Sequence, residues 1–104
     1  MLEAARLIRD YTDGIPFEAF LRNNEKRDAV AMRISVLGES THRIDPATEA
    51  ALPGIPLRSI RGMRNRIVHD YGAVDFQIVW AVARQEMASI IEVLEAYFQN
   101  HASQ

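Results

Sequence analysis

The stretch DFQIVWAVARQEMASIIEVLEAYF, residues 75–98, decides the fold class. Phe76, Val79, Trp80, Ala83, Met87, Ile90, Ile91, Leu94 and Phe98 recur three and four residues apart. That is the repeat of a helix with one wide apolar face. Asp75, just before it, is placed to cap the helix N-terminus. A face this wide must be covered by other elements, and the rest of the chain supplies only helices to do so. Upstream, Leu57, Ile60, Ile67 and Val68 share a face on a helix that Gly72 ends. Further back, Val30, Ile34, Leu37, Thr41 and Ile44 form one stripe on a helix expected from about residue 25 to residue 44, with Asn24 as its N-cap. Gly38 interrupts that helix at ~1 kcal/mol against alanine, which suggests close approach of another backbone.

The N-terminal third follows the same pattern. Leu2, Ala5, Ile8 and the Tyr11/Thr12 turn repeat at helical spacing until Gly14 stops them. Pro16 then suits the first turn of a short helix carrying Phe17, Phe20 and Leu21. Asp45-Pro46 starts a connector, and residues 52–56, LPGIP, cannot be regular helix. No period-two strand pattern occurs. The expectation is an all-α antiparallel bundle of four or five helices, one domain over residues 1–104.

Composition narrows the function. The chain has 104 residues, 48% hydrophobic and 25% charged, with a net charge of −2 and no cysteine. A core is within reach, but small size leaves it marginal, so a partner surface would help. Disulfides, thiol catalysis and cysteine zinc sites are excluded. Absence of cysteine fits a reducing cytoplasmic setting. The acid-bearing start, Met1 to Arg6, does not read as a signal peptide, and no apolar run is long enough to span a bilayer. An acidic chain has no overall attraction for nucleic acid, so any phosphate contact must come from a local patch.

One patch exists. Arg58, Arg61, Arg64 and Arg66 lie in a window, residues 50–69, that holds no Asp or Glu. On an ideal wheel Arg64 falls in the middle of the apolar stripe, with Tyr71 within about 20° of it. Two readings stand for Arg64: a stem-packed, ion-paired arginine, or a guanidinium held at a cleft to grip phosphate. His69 lies about 140° from Arg64 on the same wheel. Their cooperation therefore needs either a helix that loosens near Gly72 or pairing across a two-fold axis between two chains. Asn65, four residues before His69, can orient its imidazole, and Asp70 flanks it. Glu39 can pair with an arginine of the basic helix or stay solvated. His42 and His101 stand outside the cluster.

The run Arg64-Asn65-Arg66-Ile67-Val68-His69-Asp70-Tyr71 resembles the Arg-x4-His-x-Tyr signature of HepT-like proteins, a branch of the HEPN superfamily. Arg27-Asp28-Ala29-Val30, Leu37-Gly38-Glu39-Ser40, Ile60-Arg61-Gly62-Met63 and Val79-Trp80 are similar to further blocks of that family, in order along nearly the whole chain. Leu57 stands where the family often has an aromatic residue, and the first helix is shorter than usual. The resemblance implies a HEPN-like homodimer acting as a metal-independent endoribonuclease toxin without cofactors. Arg64 and His69 would be catalytic, Asn65 and Asp70 supporting, and Arg58, Arg61 and Arg66 contacts for RNA phosphates. It also implies a cognate minimal nucleotidyltransferase as antitoxin, which adenylylates Tyr71. The alternative is a non-catalytic helical module that binds such a nucleotidyltransferase, or a nucleotide, through the same groove.

Overall fold

A computed structural model describes residues 1–102. All regular structure in that range is helical: α1 (Leu2–Thr12), α2 (Phe17–Arg22), α3 (Asn24–Thr41), α4 (Pro46–Ala50), α5 (Leu57–His69), α6 (Phe76–Ala81) and α7 (Met87–Ala102). A 3₁₀ turn, Tyr71–Ala73, follows α5. A π turn, Val82–Glu86, joins α6 to α7 with helical backbone on both sides, so residues 76–102 form one continuous helix. The all-α expectation holds.

Local chemistry explains most boundaries. Gly14 and Gly54 adopt φ of +74° and +91°, which only glycine takes without strain, and the chain turns there. The Asp75 carboxylate accepts from the Gln77 N–H at 2.9 Å, so it caps the last helix as expected. The cap of α3 is Asn23 rather than Asn24. Its side chain accepts from the Lys26 N–H at 3.0 Å, because Asn23 is the last residue in extended conformation. Asp45 is also a cap, accepting from the Thr48 N–H at 2.7 Å. The connector it opens therefore contains a short helix, α4, that periodicity alone is too brief to reveal.

Packing runs from α5 to α3, from α3 to α1, and from α1 to α7. The molecule is a slab of 46 × 30 × 17 Å. Ile8, Phe20, Val30, Ile34, Leu37, Met87 and Ile90 are sealed from solvent at its centre, each contributing roughly 1.5–3 kcal/mol by leaving water. Two expected core residues are not in it. Val68 is 49% and Phe98 51% exposed; the covering helices do not extend over those edges of the stripes. Ile44 is half-buried, beyond the end of α3.

Two buried threonines close helix ends in the same way. The Thr12 hydroxyl donates to the Ile8 carbonyl at 3.1 Å and receives Arg84 Nη1 at 3.3 Å. The Thr41 hydroxyl donates to the Gly38 carbonyl at 2.6 Å and receives Arg61 Nε at 2.9 Å. In each case an arginine from later in the chain donates to the threonine hydroxyl at a helix C-terminus, and Arg61 also reaches the Thr41 carbonyl, which lacks a helical partner.

Candidate active site

α3 and α5 pack antiparallel, and Gly38 sets how closely. A Cβ built on Gly38 would lie 2.4 Å from Arg64 Cβ, 2.8 Å from Arg64 Cγ and 3.4 Å from the Ile60 carbonyl oxygen. The missing side chain is thus the space through which the Arg64 stem crosses α3. Its head then meets Glu39: Arg64 Nη2 lies 2.9 Å from Glu39 Oε2. Arg64 Nη1 also donates to Asn65 Oδ1 at 3.0 Å. Two side chains, Glu39 and Asn65, therefore converge on one guanidinium that is still partly exposed. Asn65 orients Arg64, and among the described residues no hydrogen bond joins Asn65 to His69. The reason is local: Asn65 adjoins Arg64, whose cationic donors form a charge-assisted bond with its carbonyl.

α5 stays regular up to His69, its last residue. Asp70, at φ −154° and ψ 64°, leaves the helix while its N–H still bonds to the Arg66 carbonyl at 2.8 Å. The helix therefore does not loosen before His69. The two side chains keep the wide angular separation of an ideal helix, and no hydrogen bond or ion pair joins Arg64 to His69 among the described residues. The His69 imidazole is exposed.

Tyr71 is positioned by the 3₁₀ turn rather than by the helix, yet it reaches the same face of α3. Its hydroxyl donates to Asp28 Oδ1 at 2.5 Å, and its ring packs against Phe76 at 5.9 Å. Arg27 lies over the other neighbour of that ring system, 5.1 Å above Phe76. Burial of the phenol pushes the Tyr71 pKa up to about 12, helped by the Asp28 hydrogen bond and charge and opposed by Arg27. In the sequence Asp28 stands only as a member of the block Arg27-Asp28-Ala29-Val30, with no role attached to it. Its signal is the repeat Asp28, Met32, Val36, Glu39, a second stripe on α3 opposite the buried one.

That stripe organises the site. Tyr71 meets it at Asp28 and Arg64 meets it at Glu39, roughly 16 Å apart by helical rise. Between them Met32 is 62%, Val36 41% and Val68 49% exposed. The result is an apolar surface bounded by two polar pairs. The remaining arginines differ in role. Arg61 is committed to Thr41 through Nε and through Nη2, which donates to the Thr41 carbonyl at 2.9 Å. Arg58 and Arg66 are exposed and unpaired among the described residues, free to meet an anion. His101 is far along α7, with Nδ1 2.7 Å from the Tyr97 carbonyl oxygen. Among the described residues no group of three or more His, Cys, Asp or Glu converges as metal ligands would, and no helix is long and apolar enough to cross a membrane.

The chain is thus an all-α slab with Arg64 and His69 on one basic helix and Tyr71 in the turn that follows it. The model of the HepT-like ribonuclease family matches residues 1–97, and the chain belongs to that family. It is similar to the probable ribonuclease HepT of Thermococcus cleftensis, with 31% identity over 88 residues that span 85% of this chain and 80% of that one. A protein of Methanocaldococcus jannaschii named as an RNase is 30% identical over 95 residues, 91% of this chain and 78% of its own. Another RNase-named protein of the same archaeon is 31% identical over 88 residues, 85% of this chain and 76% of its own. No solved structure matches the chain significantly.

Proposed function

We propose that this protein is a metal-independent endoribonuclease that works as a homodimer, the cytoplasmic toxin of a pair whose antitoxin is a minimal nucleotidyltransferase. The observation that carries the reading is the family match over residues 1–97 together with Arg64 and His69 on α5 and Tyr71 in the turn after it. RNA brings its own nucleophile, the 2′-hydroxyl. One His69 takes that proton as the 2′-oxygen bonds to phosphorus. A second protonates the 5′-oxygen as its bond to phosphorus breaks. Arg64 stabilises the charge gathering on the phosphoryl oxygens. A single chain has one histidine in the motif, so two copies must come from two chains. The exposed Met32, Val36 and Val68 beside Arg64 support that arrangement, since an apolar surface between functional polar pairs is suited to burial against a second copy. Arg58 and Arg66 would then hold flanking phosphates, while Arg61 acts structurally.

Tyr71 is the proposed adenylylation site. The modification removes the proton it donates to Asp28 and sets an anionic phosphodiester against that carboxylate. The turn after His69 loses its tether to α3. Arg27, nearer than Arg64, is the cation for the added phosphate.

The test is RNA cleavage in EDTA. Wild type cuts and His69→Ala does not; equal activity in both rejects the assignment. Co-expression with the nucleotidyltransferase should add adenylyl mass to wild type and not to Tyr71→Phe. A second reading has its own support in the Arg64–Glu39 ion pair: the groove is a binding module with Arg64 structural. Expression without a partner separates the two, because the module predicts that wild type and Arg64→Ala are equally harmless.

A further inference from the structure

We infer that Asp28 is the general base for adenylyl transfer to Tyr71, its carboxylate taking the phenolic proton as the phenol attacks the α-phosphorus of a nucleoside triphosphate held by the partner enzyme. This role rests on the reading of Tyr71 as the adenylyl acceptor, and adds a residue that the chain supplies to its own modification. The bond from Tyr71 Oη to phosphorus forms as the bond from phosphorus to the pyrophosphate oxygen breaks. Pyrophosphate leaves, and the proton stays on Asp28 until water removes it.

Three observations point to the carboxylate. The Tyr71 hydroxyl donates to Asp28 Oδ1 at 2.5 Å, and hydrogen-bond reach of the proton to be moved is the first requirement of a general base. Second, no cation neutralises Asp28: none of the ion pairs among the described residues includes it. Arg27, its neighbour in the chain, turns instead to Asn24 Oδ1 and to the face of Phe76. Third, the pair is open to a partner, since Tyr71 is 40% exposed and Asp28 is exposed. The phenol is held in place all the same. Its ring packs against Phe76 at 5.9 Å, and the Val74 N–H closes the turn on the Tyr71 carbonyl at 3.1 Å.

The chemistry needs such a group. A neutral phenol is a weak nucleophile, and Tyr71 is kept neutral, its pKa pushed up to about 12 by burial and then by Asp28. Ionisation before attack is therefore disfavoured at neutral pH. Bonding to phosphorus makes the phenolic proton far more acidic, so the carboxylate can accept it during attack though not before. An aspartate accepts the proton of a substrate hydroxyl in the same way in protein kinases. His69, two residues before Tyr71, forms no hydrogen bond with it among the described residues. A tether without a chemical role is the other account of the Asp28 contact, and the two differ in sign. Removing the charge of a tether eases ionisation of Tyr71 and speeds its reaction; removing a base slows it.

The test compares the full chain with Asp28→Asn, which keeps the shape and loses the proton acceptor, and follows adenylyl mass on Tyr71 by mass spectrometry. One arm uses the nucleotidyltransferase with ATP. The other uses adenosine 5′-phosphorimidazolide, which transfers its adenylyl group without an enzyme as imidazole leaves. In both, Asp28→Asn should react at least about tenfold more slowly at pH 7, below the 10²–10⁴-fold of a general base because its phenol ionises more easily. That phenol must ionise first, so the ratio of wild-type to variant rate should fall between about pH 7 and 9, by up to about tenfold per unit. Equal or faster reaction of Asp28→Asn overturns the proposal, as does a slower reaction whose ratio to wild type is the same at every pH. Wild type alone gives a second readout that no folding defect affects: with the phosphorimidazolide it should react more slowly in D₂O, and equal rates in the two solvents overturn the proposal. Transfer from ATP to Tyr71 at equal rates in both chains rejects the base alone. Reaction with the phosphorimidazolide that depends on Asp28, without any transfer from ATP by the nucleotidyltransferase, rejects the adenylylation reading alone.

Discussion

Replacing Gly38 by alanine sets a propensity gain against a steric loss. In a helix interior alanine is favoured over glycine by about 1 kcal/mol. The added Cβ, however, would meet Arg64 Cβ at 2.4 Å and Cγ at 2.8 Å, where carbon atoms prefer roughly 3.5–4.0 Å. The nearer atom is the root of a helical side chain, so it cannot move unless α5 moves. A shift of about 1 Å would loosen Leu57, Ile60 and Ile67, which are buried against the same interface. Overpacking of this kind costs about 1–3 kcal/mol and occasionally more, so after the propensity gain of about 1 kcal/mol the net change is a destabilisation of roughly 1 kcal/mol. In a chain this small that lowers Tm by roughly 4–8 °C. Circular dichroism melts measure it. Gly62→Ala is the matched control: Gly62 is an exposed interior residue of α5, and a Cβ there meets nothing within 4 Å. It should gain up to about 1 kcal/mol. If Gly38→Ala melts at or above wild type, α3 and α5 do not approach through residue 38 and the placement of Arg64 derived from it is wrong.

Other outcomes follow from individual contacts. Ultraviolet titration should find one tyrosine ionising near 12, with Tyr71 held up from its ordinary 10.0 by burial first and by Asp28 second. Because the folded value is raised, the neutral phenol favours the fold; that stability is complete below about pH 10 and is lost between about pH 10 and 12. Asp28→Asn should bring this titration back toward the ordinary value, and an unchanged curve would remove Asp28 as a cause. Asn23→Ala should cost ~1 kcal/mol through loss of the α3 cap, measured by urea denaturation, whereas Asn24→Ala should cost less. Arg61→Ala should destabilise by about 1–3 kcal/mol because it uncovers the Thr41 carbonyl and hydroxyl. Arg58→Ala should leave stability within about 0.5 kcal/mol and weaken RNA binding instead.

How far the site could be read in advance depends on the range of each interaction. The motif residues from Arg64 to His69 stand where helical spacing places them, and the wide angle between Arg64 and His69 follows because α5 is regular to its end. Tyr71 broke the wheel, since the helix stops at His69 and a tighter turn carries the phenol to Asp28, 43 positions away. Asn65 illustrates a competition the spacing could not decide: both Arg64 and His69 were within its reach, and the nearer charge won. Val68 and Phe98 look like core residues by period alone, but period does not say how far a neighbouring helix extends.

By itself, then, the sequence determined the local quantities. These are the helical repeat of each segment, the stops at Gly14 and Gly54, the cap at Asp75, and the clustering of arginine on one helix free of acid. All depend on atoms within one or two turns of chain. Tertiary structure alone decided that Glu39 closes on Arg64, that Asp28 holds Tyr71 and that Arg61 serves Thr41. The helical repeat sets the direction of a side chain about its own axis. What lies in that direction is settled only when another helix packs there, and at Gly38 the absence of one Cβ settles how closely.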